Sequence, residues 1–324
     1  MKKLLLGATL ISLAASAAPL AHSQQNSCLQ PTVYLSVIDR KGEVIEDVSP
    51  GQFAAFYRGK PARILSLAQD RGPRRVLILL DASGSMESTH TLDFDVADEV
   101  LDRLPPGTLV GAMVFAKQDT GVPVLTPDRD SVRKQLRALQ DDKHLPKAIK
   151  KTTALLDTIQ ESLQAFGSPQ EGDTLYVISD GEDNSSRLNW RKLDDQLLER
   201  GIRVFAMRID WTGVSLSADD NLPDVITSTG GSAVVLPLDL VRYGELTYKQ
   251  PLRDTTGKIS RLALQIGVQV RIITDSQKMR LQLPEPARGK REWQLRFSDP
   301  KLSKDLILIY QHTLPACPAS APND

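Results

Sequence analysis

The spacing of apolar positions changes rhythm along the chain. From Thr32 to Asp39 the apolar residues alternate only loosely, and with the turn signals Arg40-Lys41-Gly42 and Gly51 the stretch 32–69 reads as short strands. The next run, Arg75-Val-Leu-Ile-Leu-Leu80, is continuously apolar, as a strand covered on both faces of a parallel sheet must be. Beyond it the two periods take turns. The pattern predicts helix 91–104, strand 108–116, helices 128–140 and 153–166, strand 173–179, helix 190–200, strand 202–209, a helix near 221–229 and strand 232–236. Strands alternating with helices specify an α/β fold with a Rossmann-like, doubly wound, mostly parallel sheet. Gly107, Gly172, Gly201 and Gly230-Gly231 stand before the later strands, where helices commonly end. After about Asp239 the helical period fades, and 261–273, 279–283, 292–297 and 306–312 are expected as strands. The expected divisions are an N-terminal β segment, 24–70, the α/β domain, 71–238, and a C-terminal β-rich region, 239–314. That last region is either separate or forms one discontinuous β domain with 24–70. A flexible tail, 315–324, follows.

A length of 324 residues, 41% of them hydrophobic, provides for a sizeable core, and at ~100–200 residues per domain it leaves room for two folded units. Lys+Arg and Asp+Glu both number 40, and no long run of one sign offers nucleic acid or an anionic membrane a target. Nucleic acid is therefore not expected as a partner. Residues 1–23 carry a basic Lys2-Lys3 pair, an apolar stretch from Leu4 to about Leu20, and Ala21-His22-Ser23. This is the pattern of a secretory signal peptide cut after Ser23, and it predicts a periplasmic or secreted protein. An uncleaved anchor is the alternative, disfavoured by the Gly, Ala and Ser content and by Pro19. No later segment reaches the ~20 apolar residues of a transmembrane helix, so the mature chain is expected to lack one. Cys28 and Cys317 lie near the two ends of the mature chain, and in an oxidising compartment such a pair reads as a disulfide.

The first buried strand ends in Asp81-Ala-Ser83-Gly-Ser85, three oxygen-bearing side chains at alternate positions. In extended chain, alternate residues point to the same side, so Asp81, Ser83 and Ser85 converge while Gly84 permits a tight turn. Thr153, opening a helix, and Asp180, ending the strand 175–179, occupy comparable places at loops where open α/β sheets hold their ligands. Five hard oxygen donors suit a hard divalent cation, Mg²⁺ first, with Mn²⁺ or Ca²⁺ as alternatives. Read one at a time, an Asp or Ser after a strand does no more than cap the next helix.

In this order, Asp81-x-Ser83-x-Ser85, Thr153 and Asp180-Gly181 resemble the metal-ion-dependent adhesion site of von Willebrand factor A (VWA) domains, over about residues 73–238. The flanking text resembles a bacterial subgroup, the acidobacterial VWA-related proteins. It includes Val37-Ile-Asp-Arg-Lys-Gly42, Phe53 through Gly59-Lys60, Leu125-Thr126-x-Asp128 and Ser179-Asp-Gly-Glu-Asp-Asn-Ser-Ser186. The resemblance implies the VWA fold and a six-coordinate cation held by these five side chains directly or through water, with a partner's carboxylate often completing the shell. One feature departs from the family. Lys151 and Thr152 stand where two glycines are common, so Thr152 is a rival donor to Thr153, and Lys147, Lys150 and Lys151 either attract an acidic partner or form a solvated helix start. His90 and His144 flank the metal loops and Glu182 and Asp183 follow Asp180, but ordinary surface and turn roles account for all four, and none is assigned to the metal.

Enzyme signatures are missing. There is no Gly-x₄-Gly-Lys-Ser/Thr loop, no His-Glu-x₂-His, no Gly-x-Ser-x-Gly elbow and no cysteine pair spaced for zinc. The expectation is therefore an exported, non-enzymatic module that binds a protein through a divalent cation. A metal-independent envelope scaffold and a hydrolase using a metal-bound water are the rivals.

Overall fold

The computed structural model describes residues 28–72, 74–116, 121–140, 153–210, 221–237, 252, 260–288 and 291–317. The expected signal peptide, Lys147, Lys150, Lys151, Thr152, His144 and the end of the tail lie outside these residues.

Two sheets organise the chain. The first is parallel, with strands β4 (Arg75–Asp81), β5 (Leu109–Phe115), β6 (Thr174–Ser179), β7 (Arg203–Asp210) and β8 (Ala233–Pro237) in the order β5-β4-β6-β7-β8. Every residue of β4 is buried, which explains its unbroken apolar run. Because strand side chains alternate, Val76, Ile78 and Leu80 join one core and Leu77 and Leu79 the other. The first core is covered by helices α1 (His90–Arg103) and α2 (Arg129–Gln140). The second is covered by α3 (Leu155–Ser162), α4 (Trp190–Arg200) and α5 (Leu222–Thr229). Helices on both faces of a parallel sheet are the doubly wound architecture expected from the alternation of periods. Gly201 and Gly230 end α4 and α5 in left-handed backbone, φ 66° and 79°, which a residue with a Cβ adopts only at a cost.

The second sheet is antiparallel, in the order β10-β2-β3-β9-β1-β11. It joins β1 (Thr32–Asp39), β2 (Phe53–Tyr57) and β3 (Lys60–Gln69) from one end of the chain to β9 (Gln277–Gln282), β10 (Trp293–Phe297) and β11 (Leu306–Tyr310) from the other. Its own core contains Val33, Leu35, Tyr57, Met279, Leu281 and Trp293. Cys28 and Cys317 are joined in a disulfide, with Cα atoms 5.2 Å apart.

One expected element is wrong. Residues 261–273 are not a strand but a helix, α6 (Arg261–Thr274). Ser260 caps it, its side chain accepting from the Ala263 N–H at 3.1 Å. The buried residues Leu262, Ala263, Ile266, Val270 and Ile273 share one face at helical spacing and pack into the first core of the parallel sheet. The β-branched run and the alternation of Ile266, Val268, Val270 and Ile272 imitate a strand, but the long-range packing decides.

Candidate functional site

β4 is the first strand of the parallel sheet in sequence and the second in the sheet, and the chain winds outward from it in both directions. The point of reversal lies between β4 and β6, where open α/β sheets form a crevice beyond their carboxyl ends. Asp81 is the last residue of β4, and Asp180 follows the last residue of β6. The sheet brings them together by its register, with Leu80 opposite Ile178.

After Asp81 the chain turns sharply. The Ser83 N–H donates to Asp81 Oδ1 at 2.9 Å, a short 3₁₀ turn spans Gly84–Met86, and the hydroxyls of Ser83 and Ser85 lie 3.1 Å apart. These are the alternate positions predicted to converge. Ser179, which the sequence reading passed over, donates its hydroxyl to Asp81 Oδ2 at 2.7 Å and accepts from the Gly181 N–H at 3.0 Å. Asp180 Oδ1 accepts from the Glu182 N–H at 3.0 Å, which fixes its carboxylate in an Asx turn.

Thr153 enters from a different loop and is buried. Its N–H donates to Asn184 Oδ1 at 2.8 Å, and its carbonyl accepts from the N–H groups of Asn184 and Ser185. The loop after Asp180 also caps α3, with the Leu156 N–H donating to Asp183 and the Asp157 N–H to Ser186 Oγ. Asp157 returns the contact by accepting from the N–H groups of Arg187 and Leu188. Thr153 is thus locked to the loop that carries Asp180, and Asp183 serves as a cap.

The electrostatics of the site are dominated by carboxyls. Burial pushes the Asp81 carboxyl up to about 7, with the negative charge of Asp180 adding to the effect and the hydrogen bonds from Ser179 and Ser83 opposing it. Asp93, on α1, is also buried and raised well above the usual carboxylate range. Burial is the main cause, the Thr89 hydroxyl opposes it, and Asp81 and Asp180 add to it. Its Oδ1 has no hydrogen-bond partner. Glu182 is raised by burial and by Asp180. His90 is half-buried against the Phe94 ring, at 4.9 Å between centroids, and burial lowers its pKa, so it is a packed histidine rather than a surface one.

The donor set fits a hard divalent cation. Two buried carboxylates that repel one another stand beside serine hydroxyls, and Asp93, held at Oδ2 by the Thr89 hydroxyl but unpartnered at Oδ1 among the described residues, adds a third carboxyl near enough to couple to both. No group of three or more His, Cys, Asp and Glu is positioned for a metal among the described residues, so the fit depends on hydroxyl donors.

No family model matches the chain, and no curated protein matches it. Solved structures do. It is similar to the conserved hypothetical protein BatB from Bacteroides thetaiotaomicron, at 20% identity and a TM-score of 0.43, over 61% of this chain and 96% of that one. It is similar to a von Willebrand factor type A protein from Catenulispora acidiphila, at 10% identity and a TM-score of 0.42, over 84% and 75%. It is also similar to the SpRpn10 VWA domain, at 16% identity and a TM-score of 0.38, over 51% and 89%.

Proposed function

We propose that residues 71–238 are a von Willebrand factor A-type module that binds a protein through a divalent cation, exported and without catalytic activity of its own. The observation that supports this most is the meeting of Asp81, Ser83, Ser85 and Asp180 at the switch point of the parallel sheet, with the Asp81 carboxyl raised by burial and, after it, by the charge of Asp180. Asp81, Ser83, Ser85, Thr153 and Asp180 would hold the cation, with Mg²⁺ the first choice. The cation would offer an open coordination position to an acidic side chain of the partner. Ser179 positions Asp81, and Asn184 positions Thr153. Export rests on Lys2-Lys3, the apolar stretch after them and Ala21-His22-Ser23. No helix among the described residues is long and apolar enough to cross a membrane.

Isothermal titration with Mg²⁺ and with Mn²⁺ tests the reading. Saturable binding by the purified chain is expected, with at least a hundredfold loss in Asp81→Ala at unchanged far-UV circular dichroism. Equal binding by the variant sinks the metal site and leaves the metal-independent scaffold as the better reading.

A further inference from the structure

A second crevice opens where helices packed on the parallel sheet meet the segments that flank β10 and β11, away from the Asp81 loop. It is a cavity of about 670 Å³ walled by α4, the end of α5 and the segments around Arg291 and His312. Its walls are tied together, with the His312 N–H donating to the Thr227 carbonyl at 3.2 Å and the Thr313 N–H to the Ser228 carbonyl at 3.3 Å. Clefts between packed units are preferred places for ligands.

Its charges are unequal. Asp194, Asp195, Asp224 and Glu292 face the cavity against Arg191 and Arg291. Arg291 is engaged by Asp195 in an ion pair, and Arg191 lies over the Trp190 ring, 5.6 Å from its centre. His312 adds no cation at neutral pH, since burial lowers its pKa. Asp194 is the unusual member. It is only 7% exposed, Ser228 donates to its Oδ2 at 3.0 Å, and its Oδ1 is buried without a hydrogen-bond partner among the described residues. An ionised carboxylate oxygen left in that state costs free energy that a cationic donor would recover. Arg291 Nη1 also lacks a hydrogen-bond partner among the described residues, which leaves a donor for an acceptor on the same ligand.

We propose that this crevice is a second binding site, which takes an alkylammonium group carrying a nearby hydrogen-bond acceptor, as a lysine side chain in a peptide does. The ammonium pairs with Asp194 and the acceptor with Arg291, while Trp190 lines the wall along the alkyl stem. A free polyamine supplies the same cation without the acceptor. The site is independent of the cation at Asp81.

Burial raises the Asp194 carboxyl to about 6. Asp195 and Asp224 raise it further, while Ser228 and Arg291 oppose the shift. The ligand binds the ionised form, so affinity is present above that value and falls about tenfold by one unit below it.

The test is calorimetric titration of the whole chain with three probes, the capped peptide acetyl-Gly-Lys-Gly-amide, its Glu counterpart and spermidine. At pH 7.5 the lysine peptide is expected to bind at least tenfold tighter than the glutamate peptide, to lose about tenfold by pH 5 and to lose tenfold or more in Asp194→Asn. Tighter binding of the peptide than of spermidine supports the paired contact with Arg291 and assigns the ligand to polypeptide, and the reverse order overturns that pairing. Asp81→Ala must leave this binding unchanged, which separates the crevice from the metal site. Should Asp194→Asn fail to fold, Asp224→Asn at the exposed rim is expected to weaken binding several-fold. No saturable binding of either cation, equal affinity for the glutamate peptide, or pH-independent binding overturns the proposal.

Discussion

The Asp81 carboxyl is pushed up to about 7 because burial withholds water from it and Asp180 repels its charge. A folded-state pKa above the unfolded value means that this group's contribution to stability is fully present below about pH 4. In the metal-free chain that contribution is lost as pH rises through 7. A divalent cation bound there, as proposed, would invert the balance, because it would need the ionised carboxylate and would displace the proton. The expected result is an Mg²⁺-induced rise in Tm that is small at pH 5 and grows toward pH 8, with proton release measurable by calorimetry in buffers of different ionisation enthalpy. Asp81→Asn should flatten that profile. A shift independent of pH would show that Asp81 does not meet the metal. The sequence marked Asp81, Ser83, Ser85 and Asp180 as candidates because they end or follow buried strands, where side-chain direction is set by the strand period. It did not expose Ser179, because a serine inside a strand carries no mark of where its hydroxyl points. Asp93 was equally hidden, since an acid on a helix ordinarily reads as a solvated face.

At the scale of elements, the misread segment 261–273 shows the limit of periodicity. Its apolar residues satisfy a period of 2 and a period of 3.6 at once, and only the sheet it lies against selects between them. The alternating helices and strands of 75–236 had no such ambiguity, because β4, β5, β6 and β7 are short, buried and bounded by helices. The end of α6 is held by Arg203, a fully buried residue of β7 that donates to the Ile272 and Ile273 carbonyls and lies between the rings of Tyr34 and Phe205. Burial lowers its pKa to about 10, which records the desolvation cost of placing a guanidinium there. Its hydrogen bonds satisfy carbonyls of the last helical turn that have no partner within the helix. Arg203→Met is therefore expected to destabilise the chain by about 2 kcal/mol in urea unfolding, because the lost bonds and ring contacts outweigh the relief of desolvation. An unchanged urea midpoint would mean that the two effects cancel and that the clamp does not hold α6.

At the scale of the molecule, the parallel sheet and its helices lie in sequence between the two halves of the antiparallel sheet, so β1 pairs with β9 and β11 across more than 200 residues of intervening chain. Such pairings are costly to close in loop entropy, and the Cys28–Cys317 disulfide, with a sequence separation of 289, removes that freedom from the unfolded chain. The loop-entropy relation sets its contribution at roughly 5–6 kcal/mol, an upper figure because denatured chains are already partly compact. For a chain of this size roughly 2–4 °C accompanies each kcal/mol, so the double variant Cys28→Ser/Cys317→Ser should unfold on the order of 10 °C lower, with the same far-UV spectrum before the transition. The redox state of the pair in native material bears on the compartment, since a bridge of this kind persists outside the reducing cytosol. Non-reducing peptide mapping of the protein from its native source should recover Cys28 and Cys317 in one linked fragment, on a chain that begins after Ser23. Free thiols at both positions in that material would remove the bridge from the native molecule, and with it one of the two reasons for proposing that the protein is periplasmic or secreted.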